Sequence, residues 1–227
     1  MNILILAFII YLLYSLLPTA YYKWFKVDVV RDLGDTCKIA LTFDDGIDGI
    51  YTDKLLDLLL KYDIKATFFI VANTVMGNED ILKRMVSEGH TIGLHSLEHK
   101  TALLVSHMYT KDDFRTSIEI MKRCGVDIRY YRPPWGHINL FTLKNIYQYN
   151  LKLILWNVMV GDWKKRATVE EIENRLLRDI DSGSIICLHD GRGRDEAPKR
   201  TIEALKRVIP VLKDKGYEFV NMESIYE

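Results

Sequence analysis

The sequence predicts an α/β fold: a parallel sheet closed into a seven-stranded barrel, behind an apolar N-terminal helix. Three observations point to it. Apolar runs of strand length alternate with helical patterns from residue 38 onward. The strands are apolar on both faces, as in a parallel sheet covered by helices. The polar residues able to do chemistry, namely Asp44-Asp45, the His95 to His99 group, Arg132, Asp162 and His189, each come directly after a strand and never before one. Five successive strand ends share one mouth only if the sheet closes.

The elements follow in order. Ile3 to Leu17 carries no charge, and apolar character continues through Tyr22 before Lys23. A bilayer takes about 20 apolar residues to cross, and Tyr21, Tyr22 and Trp24 supply an interfacial belt. Pro18-Thr19-Ala20 is a poor cleavage site, so residues 1–24 are expected to be an uncleaved transmembrane anchor rather than a removed signal peptide. Lys23, Lys26 and Arg31 follow the span, and by the positive-inside rule alone they would leave the domain in the cytoplasm.

A connector (25–37) leads into a single domain (38–227). Its strands are predicted at 38–43, 66–71, 91–94, 127–131, 151–156, 184–188 and 217–220. Between them lie apolar stripes at helical spacing: Leu55, Leu56, Leu58 and Leu59; Ile81, Leu82, Met85 and Val86; Phe114, Ile118 and Met121; Ile172, Leu176 and Ile180; and the run from Ile202 to Leu212. Gly89, Gly125, Gly183 and Gly216 separate helices from the strands that follow.

Composition narrows the function. Lysine plus arginine (31) equals aspartate plus glutamate (31), so no large basic field exists to hold nucleic acid; neutral sugars or peptides fit better. Cys37, Cys124 and Cys187 are odd in number and lack CxxC spacing, which argues against a disulfide framework and a zinc-thiolate site; all three read as small core residues.

The strand ends carry the candidate chemistry. His95 and His99 stand four residues apart, which on a helical turn aims both imidazoles one way; with Asp45 they make a set suited to zinc or a similar divalent ion with an open position. Asp44 is then available as a base, although Asp-Asp-Gly reads equally as a solvated turn. His189 suits a general acid or a structural cap. Arg132 heads a loop stiffened by two prolines and can fork onto a carboxylate. Trp163 beside Asp162 is a plate that stacks on sugars or simply packs.

TFDDG (42–46), HSLEH (95–99), RPPWG (132–136), GDW (161–163) and LHDG (188–191), in this order, resemble the five motifs of the NodB-homology polysaccharide deacetylases, carbohydrate esterase family 4. The resemblance runs from residue 38 to about 221. It implies a distorted, TIM-barrel-like (β/α)7 barrel and a metal-dependent hydrolase, with Asp44 as general base, Asp45, His95 and His99 as ligands of a divalent metal (Zn2+, or Co2+ and the like), and His189 as general acid. Arg132 would hold Asp44, Asp162 would orient His189, and the Trp135 amide would donate to the developing oxyanion. Trp135, Trp163, Cys187 and Leu188 would contact substrate, Cys187 standing where relatives commonly have a leucine against the acetyl methyl. Met159-Val160-Gly161 lacks a further acid often found there, and Ile47 replaces a frequent proline. The implied reaction removes N-acetyl groups from N-acetylglucosamine units of a cell-wall or surface polysaccharide, peptidoglycan or chitin-like, a metal-bound water attacking the amide carbonyl. An O-acetyl esterase, a deacylase of a lipid-linked sugar precursor and an inactive sugar-binding module are the alternatives. Polymeric substrates place the domain outside the cell membrane, against the charge bias after the helix.

Overall fold

The computed structural model describes residues 3–25, 29–34, 36–193 and 195–225; Lys26 of the basic flank lies outside them. Helices α1 (Ile3–Tyr11) and α2 (Leu17–Trp24) run through a π-helical turn (Leu12–Leu16) as one 22-residue apolar helix. At 1.5 Å per residue it is about 33 Å long, enough for a bilayer's hydrocarbon core. Residues 3–10 are exposed all round. The second half lies on the domain: Ser15 and Pro18 are buried, Tyr14 Oη donates to Val105 O (3.2 Å), and Thr19 Oγ1 donates to Ile138 O (2.7 Å).

Seven parallel strands form the sheet: β1 (Lys38–Asp44), β2 (Thr67–Ile70), β3 (Thr91–Leu94), β4 (Tyr130–Tyr131), β5 (Lys152–Leu153), β6 (Val158–Met159) and β7 (Ile185–His189), in the order β5-β4-β3-β2-β1-β7-β6. A short β8 (Glu218–Phe219) pairs with the first residues of β1. Helices α3 (Tyr51–Lys61), α4 (Glu79–Ser87), α5 (His107–Arg123), α6 (Leu140–Gln148), α7 (Val169–Asp179) and α8 (Ala197–Asp214) surround it. Their stripes pack on the strands, with Leu56, Leu59, Leu82, Met85, Leu176, Leu205 and Ile209 fully buried, each such side chain stabilising the fold by about 2 kcal/mol. Helix α6 lays half-buried Leu143 and Ile146 on the core, but its fully buried residues are polar, Thr142 and Asn145, and a capping box between Asn139 and Thr142 starts it.

The barrel is distorted at one seam. The strand expected at 151–156 is cut to the two-residue β5, and β6, at Val158–Met159 beyond that run, was not expected; these two are the ends of the sheet. The middle of that run pairs elsewhere: Val30 bridges Ile154, and Leu155 N donates to Val30 O (2.8 Å). Asp32 bridges Ser184, and Leu33 N donates to Gly183 O (2.8 Å). Gly183 is required here, since its φ is +75° and a Cβ would stand 2.0 Å from Gly34 O. The connector therefore fills the seam rather than merely leading to the domain.

Side chains alternate along the strands. Ala40 and Ile185 face a small inner cluster with Phe69, Tyr130, Ile154, Val220 and Met222, whereas Leu41, Phe43, Ile186 and Leu188 face the helices. This corrects one expected substrate contact: Leu188 is buried under the helical layer, one residue out of phase with Cys187 and His189. Among the cysteines, Cys187 is buried as expected, but Cys124 is half-buried and Cys37 is exposed.

Candidate active site

Register sets the site. Asp44 lies level with Phe69 on one side and His189 on the other, and Leu94 is level with Tyr131, so His95 and Arg132 step off together at the next position. Asp44, Asp45, His95, His99, Trp135, Trp163, Cys187 and His189 line one cleft of about 530 Å³ at the carboxyl ends of the strands. All five polar groups expected there from sequence converge, with Arg132 beneath the cleft and Asp162 behind His189.

Arg132 is fully buried and spends its donors inward. Nη1 donates to Asp44 Oδ1 (2.7 Å) and Thr42 Oγ1 (2.7 Å), and Nη2 donates to Leu155 O (3.0 Å). Its guanidinium also lies 4.1 Å from the centre of the Phe69 ring. A buried charge is tolerated only when paired and hydrogen-bonded in this way. Asp44 Oδ1 is thereby occupied, while Oδ2 accepts from the Cys187 thiol (3.4 Å) at the cleft side. Burial, then the Asp44 charge, push the Cys187 thiol well above its ordinary range, so it is a neutral lining group.

Asp45 Oδ1 is 2.9 Å from His99 Nε2 and 3.5 Å from His95 Nε2. His95 Nδ1 stands 2.7 Å from Arg132 O, an acceptor, so that nitrogen carries the hydrogen and Nε2 presents a lone pair to Asp45. Burial lowers the His95 pKa, which keeps the ring neutral. Burial alone would raise the Asp45 pKa, but the His99 contact and the neighbouring imidazoles bring it down to about 2. A buried carboxylate oxygen without an aligned donor therefore faces a neutral imidazole nitrogen. Two acceptors in contact call for a cation between them, and one carboxylate with two imidazoles is a donor set that binds zinc and similar ions.

The two histidines of this candidate set do not come from a helical turn, as the spacing suggested. Residues 95–99 form a loop in which Ser96 (φ 73°) and His99 (φ 57°) are left-handed, as are Asp45 (φ 76°) and Trp135 (φ 56°). Each such residue costs about 1–2 kcal/mol. Specific bonds hold the loop: His99 N donates to Ser96 Oγ (2.9 Å), and Leu97 N donates to Asp113 Oδ2 (3.1 Å). The Asp45 turn is clamped by buried Asp190, which accepts from Thr52 Oγ1 (2.6 Å) and abuts Gly46 so closely that a Cβ there would lie 2.3 Å from its carboxylate.

On the opposite wall, His189 Nδ1 lies 3.0 Å from Asp162 Oδ1. Asp162 is fully buried; its Oδ2 accepts from His189 N (2.9 Å) and Thr201 Oγ1 (2.9 Å). Burial opposes the imidazolium, but the Asp162 charge and hydrogen bond prevail and raise the His189 pKa to about 9. The ring is fixed through Nδ1, which leaves Nε2 clear of Asp162. Trp163 packs 4.8 Å from the His189 ring, and Trp135, half exposed, packs edge-on 4.3 Å from His99.

Sequence reasoning missed several participants. Thr42, Thr201, Asp113 and Asp190 fix the groups above them; Thr42 and Asp190 sit within the motifs themselves, a signal that was available. Trp156, Met159, Lys164, Lys165, Arg192 and Lys23 also line the cleft. Lys23 comes from the N-terminal helix, and no local pattern announces that.

The polysaccharide deacetylase family profile matches residues 34–154. A peptidoglycan-N-acetylglucosamine deacetylase of Bacillus cereus is 34% identical over 92% of this chain and 94% of its own length. The crystal structure of the Bc1960 peptidoglycan N-acetylglucosamine deacetylase superposes with a TM-score of 0.80 at 32% identity, covering 87% of this chain and 91% of that one. A family 4 acetyl xylan esterase from Clostridium thermocellum, solved with a cobalt ion, superposes with a TM-score of 0.75 at 33% identity, covering 83% and 89%. With the five motifs gathered in one cleft and similarity spanning nearly its whole length, this chain belongs to the polysaccharide deacetylase family of hydrolases.

Proposed function

We propose that the protein removes N-acetyl groups from N-acetylglucosamine units of a cell-wall or surface polysaccharide, using a divalent cation held by Asp45, His95 and His99. The observation that carries this reading is the pairing of roles across one cleft: a carboxylate held by a buried arginine on one wall, and a histidine made basic by a buried aspartate on the other. A binding module has no need of both. The cation would polarise the acetyl carbonyl and acidify water at the site. Asp44, held through Oδ1, takes the proton of the attacking water on Oδ2, the oxygen at the cleft side. The Trp135 amide donates to the developing oxyanion. His189 gives its Nε2 proton to the departing amine, and Asp162 steadies the imidazolium until then. Cys187 borders the acetyl methyl as a small neutral group, and Trp163 offers a face to the sugar.

The apolar helix, by its length and composition, supports membrane attachment, and a polymeric cell-wall substrate argues for the domain outside the cell. A second reading, an O-acetyl esterase, is favoured by the likeness to an acetyl xylan esterase, since base, acid and cation treat ester and amide alike. Acetate release from paired N- and O-acetylated oligosaccharides, with and without chelator, separates these readings. Chelator-sensitive release from the N-acetylated member is expected; release only from the O-acetylated member would overturn the amidase reading, and chelator-resistant turnover would overturn the cation's role.

A further inference from the structure

The floor of the cleft is electrically closed. Asp44 is neutralised by Arg132, Asp162 by His189, and Asp45 faces the cation-binding imidazoles. The rim is not. Lys23, Lys164, Lys165 and Arg192 stand around the same mouth in a chain whose net charge is zero. Lys165 pairs with Asp195 (3.2 Å), but among the described residues no acidic side chain pairs with Lys23, Lys164 or Arg192.

Lys23 is held at this rim. The Arg31 guanidinium caps the end of α2, its Nε donating to Lys23 O (3.0 Å) and its Nη2 to Tyr22 O. Thr19 Oγ1 donates to Ile138 O (2.7 Å) and accepts from Ile138 N (2.8 Å), tying the helix to the chain just past Trp135-Gly136. The Lys23 ammonium consequently lies beside Gly136. A second hollow of about 500 Å³, lined by Trp24, Arg31, Gly136 and Asn157, shares Lys23, Trp156 and Met159 with the catalytic cleft and continues it along the end of the helix. Aromatic plates with cations between them suit a sugar that carries negative charge.

We infer that the cleft takes an acetylated sugar bearing an anionic group, a phosphate or a carboxylate, next to the reacting residue, and that the N-terminal helix supplies part of that subsite through Lys23. The inference rests on the deacetylase reading and adds the charge of the substrate to it. In this assignment Lys23, Lys164, Lys165 and Arg192 set specificity rather than catalyse.

The test uses the full chain in detergent, loaded with Zn2+, and three forms of one N-acetylglucosamine oligosaccharide: neutral, with a terminal phosphate, and with a terminal carboxylate. We expect kcat/KM for at least one anionic form to exceed that for the neutral form by tenfold or more at low salt. That preference should shrink in 0.5 M NaCl as screening shortens the reach of the rim. In Lys23→Glu, and separately in Lys164→Glu, it should fall at least fivefold, and whichever anionic form is preferred identifies the source of the charge. Calorimetric binding of the deacetylated products reads the same subsite without turnover: the anionic product should bind more tightly, and less so in both variants. Equal or lower kcat/KM and equal product affinity for both anionic forms would overturn the inference, as would a preference untouched in both variants. Absence of acetate release from every substrate would instead count against the deacetylase reading, while product binding would still decide the subsite.

Discussion

The floor and the rim of the cleft are built on opposite plans. On the floor Arg132 and Asp162 are fully buried, and strand ends and neighbouring side chains hold each in place through several hydrogen bonds. At the rim Lys165 and Lys164 reach into solvent, and Lys23 is contributed by a different helix altogether. Position on the floor is fixed by the fold, so removing one partner strands a buried charge. Rim cations are screened by water and salt, so their effects should appear in substrate choice and not in folding.

The contrast should be sharpest in stability. Arg132→Met leaves Asp44 buried without its partner and should destabilise the fold by about 3–5 kcal/mol, whereas Lys165→Ala should stay within about 0.5 kcal/mol. Chemical denaturation midpoints read both. Comparable losses would dissolve the distinction.

Next in size is the His189 pair. Because Asp162 raises the His189 pKa to about 9, the acid stays protonated up to that pH. Asp162→Asn removes the largest influence that favours the imidazolium, burial then outweighs the more distant Asp44 and Asp45 charges, and the pKa drops. The alkaline limb of the rate profile should move down by two pH units or more, with kcat near neutrality falling about 10²-fold. An unmoved limb would remove His189 from the role of acid.

A smaller effect concerns the support of the ligand loop. Burial raises the Asp113 pKa to about 7, despite the Leu97 amide that lowers it. A free aspartate titrates near 4. The unfolded chain therefore loses this proton first as pH rises, and the stability it confers is complete below about pH 4 and lost by the time pH has risen past 7. The slope is roughly 1.4 kcal/mol per pH unit at most. Between pH 5 and 8 the wild type should lose more stability than Asp113→Asn; parallel curves would contradict the assignment.

These differences also explain how much could be read beforehand. The barrel and its floor were legible because strand periodicity and a polar residue at each strand end are local signals: Asp44, His95, Arg132 and His189 announce themselves where an apolar run stops. Leu188 failed because two-residue alternation turns it to the helices while Cys187 and His189 face the cleft. The strand expected at 151–156 stops after Leu153, where Val30, more than a hundred residues away in sequence, pairs with Ile154. Helix α6 went unseen since Thr142 and Asn145 take its most buried positions and leave only Leu143 and Ile146 as a short apolar signal. The loop geometry of His95 to His99 depends on Asp113, and the rim depends on Lys23; both are long-range contacts without a local pattern.

The central claim is that the adjacent aspartates divide the work, Asp45 with the cation and Asp44 with the proton. Measuring bound zinc and acetate release side by side in Asp44→Asn and Asp45→Asn tests it most directly. Asp44→Asn should keep stoichiometric zinc while losing about 10³-fold in kcat, and Asp45→Asn should lose zinc and activity together. Zinc lost from Asp44→Asn and retained by Asp45→Asn would reverse the assignment, and full turnover in Asp44→Asn would contradict the mechanism outright.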